Sequence, residues 1–247
     1  MTPLPRTWHG SAEGPALVFV NSLGTTQSMW DGVLEQLGSG MRALTYDLPG
    51  HTGGAIEPFT FDDLVAESIA VMDSEGVRAA TLAGVSLGGA IGIEIAARRP
   101  DLVEGLVVVN APIRQASSSF WTERADTVER EGLAALSSGL RERWFPEGGA
   151  GTEAVVAEFA ALDPAGYAAA CRALADLDVT AAAQAVTLPT LVVSARDDAS
   201  VAPTNSDELA ASIPGAVLEV VDEGGHLLPV TRPGLLAEWL ISALHDR

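Results

Sequence analysis

Lysine is absent from this 247-residue chain, so every basic side chain is an arginine; 14 of them stand against 33 acidic residues, a formal net charge of −19 at pH 7. That balance opposes the phosphate contacts of nucleic-acid binding and adhesion to anionic membrane surfaces. It leaves room for a small anionic ligand, because salt confines charge effects to about 8 Å, provided that arginines sit beside the ligand. Cysteine occurs once, at Cys171, which excludes an internal disulfide and removes any need for an oxidising compartment. No stretch approaches the roughly 18 uninterrupted apolar residues of a membrane-spanning helix. The opening MTPLPRTWHG has neither the charged start nor the apolar centre of a secretory signal. Four histidines and one cysteine fall in no metal-site spacing, and no glycine pattern suits a nucleotide. The expectation is a cytoplasmic protein without a cofactor that acts on a small molecule, with its oligomeric state open.

Apolar residues are what the chain has in abundance, 47% of the total, enough to bury the core of one α/β domain or a domain with an insertion. Six short runs read as strands: ALVFV (16–20), RALTY (42–46), ATLAG (80–84), GLVVVN (105–110), TLVVS (190–194) and AVLEVV (216–221). Most lack alternating polarity, the mark of parallel strands covered on both faces. Between them lie helical stripes, one formed by Phe61, Leu64, Val65, Ser68, Ile69 and Met72, another by Leu235, Leu236, Trp239, Leu240 and Leu244. This alternation predicts a mostly parallel, doubly wound α/β sheet. From 112 to 186 it stops, and an Ala-, Glu- and Arg-rich helical segment without strands takes its place. Long intervals of this kind usually carry their own structure over a functional face, so 112–186 is expected to be a helical cap inserted into a core of 1–111 and 187–247.

Gly84-Val85-Ser86-Leu87-Gly88 fits G-x-S-x-G, a pattern of little weight alone. Its setting adds weight, since a strand runs straight into it and a helical run (90–98) leaves it. A serine on such a corner is a candidate nucleophile, presented by a strained turn that only small flanking residues permit. A nucleophilic serine needs a base. His226, in DEGGHLLP between the last strand and the last helix, is the leading candidate, while His51 in DLPGHTGG is a rival that reads better as a structural loop residue. His9 precedes the first of the runs and His245 lies two residues from the C-terminus, so neither fits the role. The base needs a carboxylate to fix its tautomer. Asp198, at the end of TLVVS-Ala195-Arg196-Asp197-Asp198, suits that position, with Asp197 a close alternative and Asp222 and Glu223 more remote ones. Backbone donors for a tetrahedral oxyanion are expected from the Leu87 N–H, next to the serine, and from Leu23 in the Asn21-Ser22-Leu23-Gly24 loop.

NSLGTTQSMW, GVSLGG and the Ser86, Asp198, His226 order resemble the α/β-hydrolase superfamily over nearly the whole chain. Within it, FWTER (120–124), RERWFP (141–146) and DPAGYAAACRALADLD (163–178) are similar to the cap of 3-oxoadipate enol-lactonases, enzymes of aromatic catabolism. The resemblance implies a serine hydrolase that opens a small carboxylated lactone through an acyl-enzyme. It also implies that cap arginines receive the carboxylate: Arg124 and Arg143 beside Trp121 and Trp144 are the candidates. Cys171 reads as a core residue. Three features depart from the family, one of them HLLPV (226–230) in place of the commoner H-L-x-N. DLPGHTGG replaces the usual D-x-R-G-H-G-x-S, which favours a carboxylesterase or C–C bond hydrolase as the alternative; and only about fifteen residues precede the first recognisable strand, so the fold's first antiparallel hairpin is expected to be trimmed.

Overall fold

The computed structural model describes residues 4–51, 58–115 and 117–245. Seven strands form one sheet: β1 (Arg6–Gly10), β2 (Ala16–Val20), β3 (Arg42–Tyr46), β4 (Ala80–Val85), β5 (Val103–Val109), β6 (Thr190–Ala195) and β7 (Val217–Val221). Their order is β1-β3-β2-β4-β5-β6-β7, with β1 antiparallel to β3 and all other neighbours parallel. β1 is thus a single antiparallel edge strand that pairs with β3 and not with the consecutive β2, and no opening hairpin is seen among the described residues. RTWHG is short, polar and half exposed at the sheet edge, so it lacks the apolar run that betrays the central strands.

Eleven α-helices are seen among the described residues: α1 (Asp31–Leu37), α2 (Phe61–Ser74), α3 (Leu87–Arg98), α4 (Ser118–Glu131), α5 (Ala134–Trp144), α6 (Thr152–Ala161), α7 (Pro164–Leu174), α8 (Thr180–Ala185), α9 (Thr204–Ser212), α10 (Leu228–Thr231) and α11 (Pro233–His245). In α2, Leu64, Val65, Ser68, Val71 and Met72 turn inward, and Thr60 and Asp63 close its first turn with a reciprocal capping box. Helices α2, α3, α8 and α9 pack in a row, while α1 packs on α11. The central strands β2 and β4 are buried at every residue, as the absence of polar alternation requires.

Helices α4 to α8 fill the interval between β5 and β6. The chain leaves and rejoins the sheet side by side: the Gln115 N–H donates to Leu177 O and the Val179 N–H to Ile113 O, both at 2.9 Å. Helix α8 follows this neck and packs on α3 and α9 beside the sheet; α4 and α7 pack together beyond it, as do α5 and α6. No single helix among the described residues is long and apolar enough to cross a membrane.

Candidate active site

Ser86 stands between β4 and α3 with φ 56° and ψ −116°, one of three non-glycine residues with positive φ among those described. Backbone in this region costs about 1–3 kcal/mol and persists only where its surroundings enforce it. Here the enforcement comes from two close approaches. A Cβ on Gly84 would lie 2.2 Å from the Gly88 carbonyl oxygen, and one on Gly88 would lie 2.1 Å from Val20 O and 2.7 Å from Asn21 O. The flanking glycines thus let the turn fold onto itself and onto the end of β2. The Ser86 N–H donates to Val109 O at 2.9 Å, tying the corner to β5 as well.

His226 is buried in the loop after β7. Its Nδ1 lies 2.7 Å from Asp198 Oδ2, and the Asp198 side chain is wholly inaccessible. The other carboxylate oxygen accepts from the Ser200 and Val201 N–H groups at 2.7 and 3.0 Å. These bonds hold the carboxylate as an acceptor, so the shared proton belongs on His226 Nδ1 and leaves Nε2 free to take one. Asp197 faces another way and accepts from the Gly224 and Gly225 N–H groups at 3.1 and 2.9 Å. It braces the histidine loop, and Asp198 is the carboxylate on the imidazole. His226 also donates its own N–H to Trp144 O on α5.

Leu23 and Leu87 are buried, and Leu87 is the first residue of α3. Among the described residues, neither N–H donates to an acceptor in a turn, loop or side chain. Buried amides are rarely left so, and both flank the serine corner, one at a helix N-terminus that favours negative charge. Gly24, with φ +81°, lets the loop turn, and its N–H donates to His51 Nε2 at 2.7 Å. His51 Nδ1 lies 3.1 Å from Pro49 O, so the ring is neutral with its proton on Nδ1. Burial lowers its pKa to about 4, outweighing the Pro49 and Leu48 carbonyls. The rival histidine is thus a support behind the Leu23 loop. Its neighbours Thr52, Gly53 and Gly54, the rest of the atypical DLPGHTGG stretch, lie outside the described residues.

The cap covers this loop from the other side. A Cβ on Gly24 would meet the rings of Phe159 at 3.0 Å and Tyr167 at 3.1 Å. Glu158 on α6 accepts hydrogen bonds from Thr26 and Ser28 just beyond the loop. Beneath the cap lies a cavity of about 440 Å³, lined by Leu23, Ser86 and His226 from the core and by Trp121, Arg124, Arg143, Trp144 and Tyr167 from the cap. The Arg124 Nε donates to Tyr167 Oη at 2.8 Å, and its guanidinium lies 6.0 Å from the Trp121 ring centre and 5.7 Å from that of Tyr167.

Three arginines line the cavity; Arg114 pairs with Glu208, whereas Arg124 and Arg143, among the described residues, form no ion pair, although ten other arginines including Arg114 do. Arg42 is the third described arginine without one, and it stacks on Trp8 at the far edge of the sheet. Burial, and then the charge of Arg124, hold the Arg143 pKa below its ordinary value. Cys171, buried in α7, has its thiol pushed up to about 11 by burial and is a poor nucleophile. Among the described residues, no group of three His, Cys, Asp or Glu side chains could hold a metal ion.

Asn110 escapes a reading of the sequence alone, and the contacts of Asp197 and of His51, the latter a structural loop residue as expected, are not legible there either. Asn110 hydrogen-bonds the backbone of the loops that carry Asp198 and His226, and Asp197 and His51 act as described above. Each bonds to main chain distant in sequence, which no local pattern marks.

A doubly wound sheet with a strained serine on its central corner defines the class, and the chain belongs to the alpha/beta hydrolase family, which it matches over residues 17–239. It is similar to 3-oxoadipate enol-lactonase 2 of Acinetobacter baylyi, with 31% identity over 91% of this chain and 86% of that one. A proposed carbamate hydrolase of Stutzerimonas stutzeri is 30% identical over 90% of this chain and 89% of its own length. Among solved structures, the enol-lactonase of Burkholderia xenovorans superposes with a TM-score of 0.92 at 29% identity, covering 98% of this chain and 96% of that one.

Proposed function

We propose that this protein is a serine hydrolase that opens a small carboxylated enol-lactone, 3-oxoadipate enol-lactone, to 3-oxoadipate. Ser86 Oγ attacks the ring carbonyl while His226 Nε2 takes its proton, and Asp198 keeps the imidazole in the tautomer that can do so. The developing oxyanion rests on the Leu23 and Leu87 N–H groups. Collapse expels the enol oxygen, which receives the proton from His226 and becomes the ketone while still tethered through the acyl chain. Water, deprotonated by His226, then releases the acid and restores Ser86.

The observation that carries the choice of substrate is the cavity's charge. In a chain of net charge −19, Arg124 and Arg143 line the same cavity as the serine and, among the described residues, have no carboxylate partner. A ligand carboxylate would relieve their mutual repulsion and receive charge-assisted hydrogen bonds. Similarity to a protein named as a 3-oxoadipate enol-lactonase and to a solved enol-lactonase points the same way. The alternative is a hydrolase of the same fold acting on another ester, a carbamate or a C–C bond. The DLPGHTGG loop and the likeness to a proposed carbamate hydrolase favour it.

The test is the ultraviolet absorbance of freshly generated enol-lactone, followed with the wild type and Ser86→Ala in parallel. Rapid loss with the wild type alone is expected. No loss from a protein whose Ser86 still reacts with a fluorophosphonate would overturn the lactone and leave the alternative; absence of the Ser86 adduct would overturn the serine mechanism itself.

A further inference from the structure

We infer that Asn110 is a positioning residue that fixes the Asp198–His226 pair against Ser86. This rests on the reading of those three residues as the triad. Asn110 follows β5 directly, is only 2% exposed, and takes φ 47°, a left-handed value that asparagine tolerates better than most residues. Its Oδ1 accepts from the Ala195 N–H at 2.9 Å, three residues before Asp198. Its Nδ2 donates to Gly225 O at 3.1 Å and to His226 O at 2.9 Å. The amide orientation follows from the partners, since an N–H needs the oxygen and two carbonyls need the NH2.

The acid and base loops already hold each other without Asn110. Asp198 bonds the imidazole, and Asp197 bonds the Gly224 and Gly225 N–H groups. None of those contacts relates the pair to the serine. The missing connection runs through the end of β5: Val109 O accepts the Ser86 N–H at 2.9 Å, and the next residue grips both other loops. One dipeptide, Val109-Asn110, therefore joins the three segments that carry the triad. An asparagine here meets both demands at once, being able to donate twice, accept once and sit in left-handed backbone. Freed from it, the acid–base pair would remain intact but shift as a unit relative to Ser86 Oγ.

Asn110→Gly preserves the left-handed backbone and removes all three side-chain bonds. Asn110→Asp keeps the acceptor for Ala195 but sets an oxygen against two carbonyls. The measurement is the rate at which a fluorophosphonate modifies Ser86, with thermal melting alongside and kcat and KM taken on a neutral p-nitrophenyl ester. The expected result is labelling and kcat lowered about 10²-fold in both variants, the scale of a misplacement of roughly 1 Å, with KM within twofold and the protein fully folded at the assay temperature. Labelling at the wild-type rate in either folded variant would overturn the inference. So would a loss of activity that only follows the folded fraction. Wild-type labelling that persists in Ser86→Ala would instead refute the triad beneath it.

Discussion

Replacing His51 by glutamine isolates the cost of burying an imidazole behind the Leu23 loop. Glutamine keeps an acceptor for the Gly24 N–H but cannot take a proton. In the wild type, burial lowers the His51 pKa from 6.5 to about 4. The unfolded chain therefore binds a proton that the native state refuses, and the native state loses stability as pH falls through that interval. At about 1.4 kcal/mol per unit, the descent from 6.5 to pH 5 removes about 2 kcal/mol, with most of a further unit still to be lost before pH 4. The carboxyls of Asp31 and Asp47, raised chiefly by burial, act in the opposite direction, but they are common to both proteins and cancel in the comparison. Urea unfolding at pH 7 and pH 5 reads the effect. The wild type should lose about 2 kcal/mol more than His51→Gln over that step. Equal losses would show that His51 is not held neutral, and the assignment of Nε2 as the acceptor for Gly24 would fall with it.

Two further substitutions probe the cavity and the serine corner. Arg143→Met should raise KM for the anionic lactone by about 10- to 150-fold, the equivalent of one charge-assisted hydrogen bond at 1.5–3 kcal/mol, and leave a neutral p-nitrophenyl ester unchanged; equal effects on both substrates would dissociate the arginines from carboxylate recognition. Gly88→Ala forces backbone apart where Val20 O lies 2.1 Å from the new Cβ, and should cost about 3 kcal/mol or more, roughly 6–12 °C in Tm. A melting temperature within 2 °C of the wild type, read by circular dichroism, would contradict the close approach of the corner to β2.

The parts of the fold written in continuous apolar runs are legible in the sequence itself. The central strands and the cap interval announce themselves by what their residues avoid, and the serine corner by a run of strand, glycine and helix. What stays hidden depends on contact rather than pattern. β1 gives no signal because an edge strand needs only one partner and little apolar surface. Asp197 and Asp198 are indistinguishable in sequence, and only the direction of each carboxylate, one to a pair of glycine amides and one to the imidazole, separates their tasks. Arg124 and Arg143 are readable as candidates, but their lack of acidic partners is a property of the folded surface, since Glu123 and Glu142 stand next to them in sequence. Asn110 reads in sequence as no more than the polar end of a strand.

The loop that carries Leu23 is shared property. His51 supports it from the core, while Phe159, Tyr167 and Glu158 press on it or hold it from the cap. The cap is therefore not an exchangeable cassette that could be swapped to change substrate over an unaltered engine. A transplanted cap lacking two rings that close over Gly24 and a carboxylate for Thr26 and Ser28 would alter the loop proposed to hold the oxyanion as well as the pocket. Substitutions that retune selectivity in α6 or α7 will register in turnover too, as will those at the end of α5, where the Trp144 carbonyl accepts the His226 N–H.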